Sequence, residues 1–282
     1  MKRKNIIRTF LLFLMSLLTW VPLWMLVSGS FLGADELNQK VGPVLDQVKG
    51  MADWSVFPQY PTLRPYVELL LDSPNFFQMF WNSCIQVIPI LLGQFCIAVP
   101  AAWAFACFSF RGKKVLFLLY MILMVLPFQI TMVSSYLVLF RMGLMDTHLA
   151  VILPNIFSTL PIFIMVKFFK EIPKALIEAA RIDGAGEFYI FTRIGIPLGS
   201  SGILSIMILS FLEYWNAIEQ PLTFLARNRK AWPLPLYLPN ITADRAGVAF
   251  VASVIMMIPA LLLFLYGQKY LEQGIAAFGL KD

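Results

Sequence analysis

The sequence predicts an all-α integral membrane protein with six transmembrane helices. Of its 282 residues, 59% are hydrophobic and only 13% are charged, whereas a soluble domain needs more charge at its surface to stay in solution. Several stretches of about 20 apolar residues carry almost no charge, which is the length that an α-helix needs to cross a hydrocarbon core of roughly 30 Å. The bilayer is therefore the solvent in which this chain folds.

Six apolar runs are long enough to span the membrane. They cover residues 9–31, 76–108, 115–139, 149–166, 196–218 and 249–267. The first run follows Met-Lys-Arg-Lys, as in a signal peptide, but it is longer than the apolar part of a signal peptide and has no small-residue cleavage site. We therefore expect it to remain as an anchor, and we expect residues 9–267 to form one six-helix membrane domain.

Lysine and arginine are unevenly distributed between the two sides of the predicted bundle. One side carries 14 of them in 58 residues, and the other carries 8 in 83 residues. The richer side comprises residues 1–8, 109–114, 167–195 and 268–282. The poorer side comprises the predicted external loops 32–75, 140–148 and 219–248. By the positive-inside rule, both termini are predicted to be cytoplasmic. The net charge of +6 then reflects basic residues beside anionic lipid and indicates no nucleic-acid partner.

The two long external loops differ in their predicted structure. In loop 32–75, an apolar stripe with i, i+3, i+4, i+7 spacing predicts a short amphipathic helix between Gly42-Pro43 and Gly50. The stripe consists of Val41, Val44, Leu45 and Val48. We interpret this helix as a lid on the membrane surface or against a partner's loop, with a ligand contact as the alternative. In loop 219–248, four prolines each remove a backbone donor, which predicts an irregular loop without regular helix.

Few side chains of this chain are suited to catalysis or metal binding. The three cysteines lie in one apolar segment without metal-ligand spacing, and the single histidine, His148, lies in a predicted loop. The phosphate-binding pattern G-x-x-x-x-G-K-[ST] does not occur, so the chain is not expected to bind ATP by itself. We predict no catalytic residue, no metal site and no cofactor in this chain.

The predicted loop 167–195 is too polar for the bilayer, yet it has a regular pattern. Pro173 suits the first turn of a helix, and residues 174–182 are good helix formers. One smooth face of this helix is predicted to hold Ala175, Leu176, Ala179 and Ala180. Residues 183–186 then break the helix, and Glu187 begins a second amphipathic turn. The apolar side of that turn is predicted to hold Phe188, Phe191 and Ile194. The pattern predicts a helix, a sharp turn and a helix across the cytoplasmic face.

The residues of this loop resemble a known family. Glu178-Ala179-Ala180, Asp183-Gly184-Ala185, Phe191, Ile194 and Pro197-Leu198 look like the EAA loop of inner-membrane permeases in binding-protein-dependent ABC importers. The family pattern is E-A-A-x-x-D-G-A, five variable residues, F-x-x-I and a near-terminal P-L. This chain matches it, with Ile196 where leucine is commoner.

Further landmarks resemble the maltose-type branch of that family, the carbohydrate permeases, over most of the chain. They include Trp81-Asn82-Ser83, Phe110-Arg111-Gly112-Lys113, Leu126-Pro127-Phe128-Gln129, the residues 211–216 and the C-terminal residues 274–281. Residues 34–55 make the first external loop longer than is usual in the family.

This resemblance implies a type I ABC importer permease fold with a cytoplasmic coupling helix between the fourth and fifth spans. In that family the coupling loop docks a separate ATPase dimer, which binds ATP and Mg. The corresponding residues here are Glu178, Ala179, Ala180, Asp183, Gly184 and Ala185. The family's C-terminal tail also contacts the ATPase, which points to Gly274 and Gly279. The resemblance further implies a second homologous permease, an external solute-binding protein and a multi-pass location in a bacterial plasma membrane.

Polar residues within the predicted spans are candidates for a substrate pathway. A neutral sugar is bound by amide and carboxylate hydrogen bonds and by aromatic rings stacked on its C–H surface. Residues of these types are Asn82, Gln129, Asn155 and the cluster Glu213, Tyr214, Trp215 and Asn216. The alternative interpretation is structural, because aromatic residues form belts at span ends and amides join helices within membranes.

The sequence thus predicts a permease subunit of an ABC importer, forming half of the pathway for a carbohydrate. Two alternatives stay open. The same machinery carries other solutes in close relatives, including glycerol phosphodiesters, polyols and uronate oligomers. An ion-coupled secondary transporter is disfavoured, because charge is nearly absent from the predicted spans and such carriers need proton or sodium relays.

Overall fold

The computed structural model describes residues 2–45, 53, 57–237 and 245–279, and all regular structure in this part of the chain is helical. The helices are α1 (Lys2–Gly29), α2 (Ala34–Lys40), α3 (Gly42–Leu45), α4 (Arg64–Asp72), α5 (Pro74–Cys107), α6 (Lys113–Val125), α7 (Phe128–Arg141), α8 (His148–Ile156), α9 (Thr159–Glu171), α10 (Lys174–Ile182), α11 (Glu187–Ile190), α12 (Ile196–Leu198), α13 (Ser200–Trp215), α14 (Glu219–Phe224) and α15 (Ala246–Gly279). A π-helical turn at Phe191–Gly195 joins α11 to α12. The predicted all-α class is confirmed.

Four helical stretches are long and apolar enough to cross a membrane. They are Arg8–Gly29, Pro74–Cys107, His148–Glu171 and Ala246–Glu272. Two further stretches meet the same criterion only as bent pairs, α6 with α7 and α11–α12 with α13. The described chain therefore offers four spans, or up to six if each bent pair crosses once. Each of the six predicted apolar runs overlaps one of these helices or pairs.

The predicted third span is bent by 105° between α6 and α7. Leu126 and Pro127 join the two helices in extended conformation, with ψ of 121° and 151°. Proline has no N–H to continue the helical ladder, and it disfavours the helical conformation of the residue before it. Residues 115–139 are therefore a broken span or a re-entrant segment rather than one straight helix.

The predicted fifth span is bent by 71° where α12 meets α13. Gly199 lies at this bend, and a Cβ atom placed on it would lie 2.4 Å from Cε1 of Phe169 in α9. Only a residue without a side chain permits such a close approach of two helices. The bend thus carries the chain from the loop after α9 into α13.

The chain forms two compact units, which are described separately. The first comprises Met1–Gln78 and Tyr237–Pro259, and the second comprises Met79–Leu236 and Ala260–Asp282. In the second unit, Ala102 of α5, Met165 of α9 and Ile190 of α11 are fully enclosed. Trp103 packs edge to face on Phe169 with ring centroids 5.4 Å apart, an arrangement that aromatic pairs favour. This core fastens the loop after α9 to the long helices.

Helix α2 precedes the amphipathic helix that is predicted in loop 32–75. The buried helical segment is α2, which ends before the predicted stripe, and α3 covers only Gly42–Leu45. Leu37 of α2 is 1% exposed, whereas Val44 of the stripe is 50% exposed. Val48 and Gly50 lie outside the described residues. Helix α3 covers the start of the amphipathic helix predicted between Gly42-Pro43 and Gly50, and the rest of that predicted helix lies outside the described residues.

Helix α2 is anchored by a buried carboxylate. Glu36 is 8% exposed and forms an ion pair with Lys40 one turn later. The carboxylate also accepts backbone hydrogen bonds from the N–H of Gln59 (3.0 Å) and the N–H of Tyr60 (3.4 Å). Burial by itself raises the pKa of Glu36, but the bond from Lys40, the two backbone donors and the Lys40 charge outweigh burial and lower this pKa. Glu36 therefore ties the segment before α4 to α2.

Replacing Glu36 by glutamine is expected to loosen this segment. A hydrogen bond to a charged group contributes about 1.5–3 kcal/mol, so the amides of Gln59 and Tyr60 should exchange with deuterium about tenfold faster or more. In the wild-type protein the same protection should be lost as pH falls from the ordinary glutamate pKa through the lowered folded-state pKa, because the carboxylate stabilises the fold only while it is ionised. Exchange rates are compared after correction for their intrinsic pH dependence.

Asp35→Asn is the matched control for this substitution, since Asp35 is exposed on the same helix. It should leave the exchange of both amides unchanged. Equal exchange in wild-type protein and Glu36→Gln would contradict the anchoring role of the carboxylate.

The loop 219–248 is more regular than predicted. Helix α14 contains Pro221, and short 3-10 turns follow at Arg229–Ala231 and Leu234–Leu236. Pro221 is in the first turn of α14, where backbone N–H groups have no helical acceptor, so its missing donor costs nothing. The expectation that this loop lacks regular helix is therefore wrong for α14. Residues 238–244 lie outside the described part of the chain.

The last helix, α15, begins at Ala246 and continues through the predicted tail to Gly279. Both tail glycines of the predicted ATPase contact, Gly274 and Gly279, lie in this helix. Residues 280–282 lie outside the described part. The helix packs on α13, where the Ser205 hydroxyl donates to the carbonyl of Tyr270.

Candidate functional site

The loop between α9 and α13 contains the helix that the sequence predicts over residues 174–182. Ile172 and Pro173 leave α9 in extended conformation, with ψ of 124° and 125°, and α10 follows from Lys174 to Ile182. Pro173 lies just before the first helical residue, where its fixed φ favours the start of a helix and its missing N–H is not needed.

A glycine cap ends α10. Gly184 has φ of +82°, and its N–H donates to the carbonyl of Arg181 (3.1 Å), while the N–H of Ala185 donates to the carbonyl of Ala180 (3.0 Å). These two bonds are those of the Schellman motif, which pairs carbonyls left free at a helix end. Ala180 and Ala185 both pack against the core of the second unit, which supplies the apolar contact of the motif. The sequence Asp183-Gly184-Ala185 therefore ends α10 and returns the chain to the core.

One face of α10 is anchored in the core. Ile177 is 5% exposed and packs in the same cluster as Met165 and Phe169 of α9. Burying such a side chain contributes about 1.5–3 kcal/mol. Ala180 also packs on this cluster, so it does not belong to the predicted smooth face with Ala175, Leu176 and Ala179. That part of the prediction is wrong, because Ala180 lies one turn after Ile177 on the anchored side.

The opposite face of α10 is free, and we call it the docking face. Its exposed residues are Leu176, Glu178, Ala179, Ile182 and Asp183. Ile182 is 86% exposed, which is unusual for an isoleucine in a short helix that is otherwise held rigidly. Of the six predicted coupling residues, the structure exposes Glu178, Ala179, Asp183 and Gly184 and partly buries the other two. Sequence reasoning missed Ile182, because its exposure is evident only once the anchored side is known.

An ion pair spans the turn after α10. Nε of Arg181 lies 2.6 Å from Oε1 of Glu187, and a second guanidinium nitrogen lies 3.2 Å from Oε2. The hydrogen bonds from Arg181 to Glu187 raise the pKa of the arginine. Both side chains are partly exposed, so the pair contributes only about 0.2–1 kcal/mol. The pair therefore connects α10 to α11 but contributes little to stability.

The second helical turn buries a different side than predicted. Ile190 is fully enclosed, and Phe191 and Ile194 pack around the same core. Phe188 is 79% exposed, so the expectation that it shares a side with Phe191 and Ile194 is wrong. The buried stripe is centred on Ile190 and Ile194, an i, i+4 pair, and Phe188 lies well outside it on a helical wheel. Phe188 and its neighbour Tyr189 are therefore both exposed aromatic side chains.

A polar cavity of about 460 Å³ lies among α6, α7, α8, α9, α13 and α14. Asn155, Glu213 and Tyr214 of the predicted pathway line it, together with Ser158 and Gln220. Three phenylalanine rings also face it. They are Phe128, Phe157 and Phe224. Among the described residues, no lysine, arginine or histidine lines this cavity. Its volume and mixture of aromatic rings with a few polar groups are typical of small-molecule sites.

Hydrogen bonds fix the positions of several residues that line this cavity. The side-chain amide of Asn155 donates to Oε1 of Gln220 (2.5 Å) and to the carbonyl of Val151 (2.8 Å). Nε2 of Gln94 donates to the carbonyl of Asn155 (2.8 Å) and to the hydroxyl of Tyr214 (3.1 Å). Gln94 itself is fully buried. Gln94 therefore positions two cavity residues without lining the cavity.

The other predicted pathway residues do not line the cavity. Nδ2 of Asn82 donates to the carbonyls of Lys230 (2.7 Å) and Trp232 (2.9 Å), which fastens the loop after α14 to α5. Trp215 is 3% exposed and stacks on Phe211 at 5.3 Å. The last two predicted pathway residues are Asn216 and Gln129, and both form hydrogen bonds at exposed positions. Asn216 donates to the carbonyl of Leu212 in its own helix, and Gln129 donates to Glu219.

The helical membrane fold and the capped loop define the class to which this protein belongs. The chain is a member of the family of binding-protein-dependent transport system inner membrane components, whose model matches residues 94–277.

Individual relatives extend the match beyond that range. An arabinooligosaccharides transport system permease protein of Bacillus subtilis is 28% identical over 97% of this chain and 94% of its own length. An osmoprotective compounds uptake permease protein of Synechocystis is 33% identical over 76% of this chain and 73% of its own. An sn-glycerol-3-phosphate transport system permease protein of Brucella abortus is 27% identical over 70% and 72%.

The fold resembles that of solved transporters. A chain in the crystal structure of a bacterial ABC transporter involved in the import of the acidic polysaccharide alginate superposes with a TM-score of 0.80, at 20% identity, over 94% of this chain and 95% of that chain. A chain of a bacterial alginate ABC transporter in complex with an alginate pentasaccharide-bound periplasmic protein gives a TM-score of 0.63, at 19% identity, over 94% of both.

Proposed function

We propose that this inner membrane component is a permease subunit of an ABC importer, forming half of the translocation pathway for a neutral carbohydrate delivered by an external solute-binding protein. The observation that carries the proposal is the two-sided α10. Ile177 anchors the helix in the core, while the docking face around Glu178 has no partner within the described chain. A short rigid helix with a free face is suited to receive force from another subunit.

The proposal includes the arrangement in the membrane. The six stretches each cross once, both termini are cytoplasmic, and α10 is the coupling helix on the cytoplasmic side. The density of lysine and arginine supports this orientation. A separate ATPase dimer binds ATP and Mg, a second homologous permease completes the pathway, and Gly274 and Gly279 in α15 contact the ATPase.

The packing of α10 supports a mechanical role. Closure of an ATPase dimer on ATP would displace the docking face. Because Ile177 and Ala180 share a core with α9 and α5, a displacement of α10 moves these helices with it, since close-packed cores do not deform gradually. The membrane helices then alternate between inward-facing and outward-facing arrangements.

The polar cavity supports a neutral cargo. Amides, hydroxyls and aromatic rings suit a sugar, and Glu213 accepts hydrogen bonds from sugar hydroxyls. A phosphodiester or a uronate oligomer would meet this carboxylate with no cation in the described lining to offset it. The relatives include a permease for arabinooligosaccharides, which supports a carbohydrate cargo, as well as permeases for osmoprotective compounds and for sn-glycerol-3-phosphate.

Replacing Glu213 by alanine is expected to reduce ATP-driven uptake of the cargo about tenfold or more, because a hydrogen bond to a charged group contributes about 1.5–3 kcal/mol. Uptake is measured in vesicles that contain the complete importer. Asn216→Ala is the matched control, since Asn216 is exposed and its side-chain amide donates to a carbonyl of its own helix. Equal uptake by wild-type protein and Glu213→Ala would contradict the proposed role of Glu213 in the pathway.

Purification of the complex separates this proposal from a secondary transporter. An importer permease should bring a stoichiometric ATP-hydrolysing subunit with it, and vesicles should take up an oligosaccharide only when ATP and the binding protein are present. Uptake that follows a proton or sodium gradient without ATP would contradict the proposal.

A further inference from the structure

A basic cleft of about 360 Å³ lies where four helix ends meet. It is lined by the last residues of α5, the first residue of α6, the end of α9 and one side of α10. Four cationic side chains border it. They are Lys113, Lys170, Lys174 and Arg181. Glu178 is the only carboxylate among the described lining residues, so cations outnumber it four to one.

These cations are gathered around the cleft by specific contacts. Nζ of Lys113 donates to the carbonyl of Phe108 (2.7 Å), and an ammonium group has three donors in all. Nζ of Lys170 lies 5.6 Å from the ring centroid of Phe117, a cation–π arrangement. Arg181 is held by Glu187. Lys174 has no carboxylate within salt-bridge distance among the described residues.

Helix α6, whose first residue Lys113 lines the cleft, has an apolar exposed side. Helix α6 starts at Lys113 and then presents Val115, Leu118 and Leu119 with exposed fractions of 64%, 51% and 49%. A ligand with an anionic head and a hydrocarbon tail can bind the cations at the start of α6 with its head and cover the apolar exposed side of α6 with its tail. A free phosphate ion shares only the head-group chemistry.

We propose that this cleft binds the phosphate-bearing head group of an anionic phospholipid, with the acyl chains along α6. The helix ends place the cleft at the boundary between bilayer and solvent, on the side that is proposed to be cytoplasmic. Inner leaflets carry anionic lipid, and basic clefts between helices attract it. One bound lipid would connect α6 to α10 through Lys113 and Lys174. The inference does not depend on the identity of the cargo.

The test uses the complex as purified from cells, transferred to bilayers of phosphatidylcholine with or without phosphatidylglycerol. Lipid retained by the complex is measured by mass spectrometry after mild delipidation. The wild-type complex should retain phosphatidylglycerol in preference to phosphatidylcholine. Lys174→Gln should lower this retention about fivefold, since each juxtamembrane cation contributes roughly 1 kcal/mol, and Lys113→Gln should have a similar effect.

Lys114→Gln is the matched control, because Lys114 is exposed on the same helix and does not line the cleft. It should leave retention unchanged. An equal loss in Lys114→Gln would mean general surface attraction and would overturn the proposal. Displacement of the lipid by an equal concentration of inorganic phosphate would mark a free-anion site and would overturn it as well.

One more outcome concerns the proposed ATPase. If Lys174→Gln lowers co-purification of the ATPase while the retained phosphatidylglycerol stays at the wild-type level, the cations are protein contacts and the lipid proposal is wrong. If lipid retention falls and the ATPase remains bound, the cleft is a lipid site. The lipid-retention result does not depend on the importer function, whereas the co-purification result rests on the proposed ATPase.

Discussion

Glu178→Lys is expected to abolish ATP-driven uptake while the protein remains in the membrane. Glu178 is exposed at the edge of the docking face that borders the basic cleft, and it forms no salt bridge among the described residues. A reversed charge would meet the basic group that the coupling loop is expected to contact, and like charges at an interface cost several kcal/mol. Uptake should therefore fall about a hundredfold or more. It is measured in vesicles and normalised to the amount of permease in the membrane.

Glu171→Lys is the matched control, since Glu171 is an exposed carboxylate at the end of α9, outside the docking face. It should retain most of the uptake and bind the ATPase. If Glu178→Lys transports as well as this control, the coupling role of α10 is refuted.

Gly184→Pro is expected to have an effect of similar size through the backbone. Gly184 has φ of +82°, whereas proline fixes φ near −65°, so the cap cannot form. Proline also removes the N–H that donates to Arg181. The cost is about 3 kcal/mol or more. We expect α10 to detach from the core, which should appear as faster amide exchange across the helix and as loss of uptake.

A pair of alanine substitutions isolates the backbone conformation. A Cβ atom on Gly184 or on Gly186 meets no atom within 4 Å, but Gly186 has φ of −69°. Gly184→Ala should cost about 1–2 kcal/mol, because the left-handed conformation is strained for a residue with Cβ. Gly186→Ala should be nearly neutral. Equal exchange and uptake in the two variants would contradict the importance of the glycine cap.

The membrane helices were predictable because apolar length is a direct physical requirement of the bilayer. The sequence also contains the reason for the bend at Pro127, but the angle of 105° depends on how α6 and α7 pack, which no local pattern specifies. Helix α10 was predictable to the residue, because Pro173 and Gly184 mark its two ends. In contrast, Pro221 led to the wrong prediction that no helix forms in this loop, because a proline breaks a helix only when it lies beyond the first turn of that helix.

The candidate pathway was predictable only in part. Asn155, Glu213 and Tyr214 line one cavity. In contrast, the side-chain amide of Asn82 donates its hydrogen bonds to two backbone carbonyls. Sequence gives the residue type and the approximate depth in the bilayer. It does not give the face of the helix, which decides whether an amide meets a ligand or another segment. Trp215 illustrates the same limit, because it is buried against Phe211.

The most direct test of the coupling claim is a photo-reactive amino acid in place of Ala179, at the centre of the docking face. In the purified complex it should form an adduct with an ATP-hydrolysing subunit, and the yield should change when ATP is added. Adducts with lipid alone, in a preparation that contains no ATP-hydrolysing subunit, would contradict the role of α10 as a coupling helix.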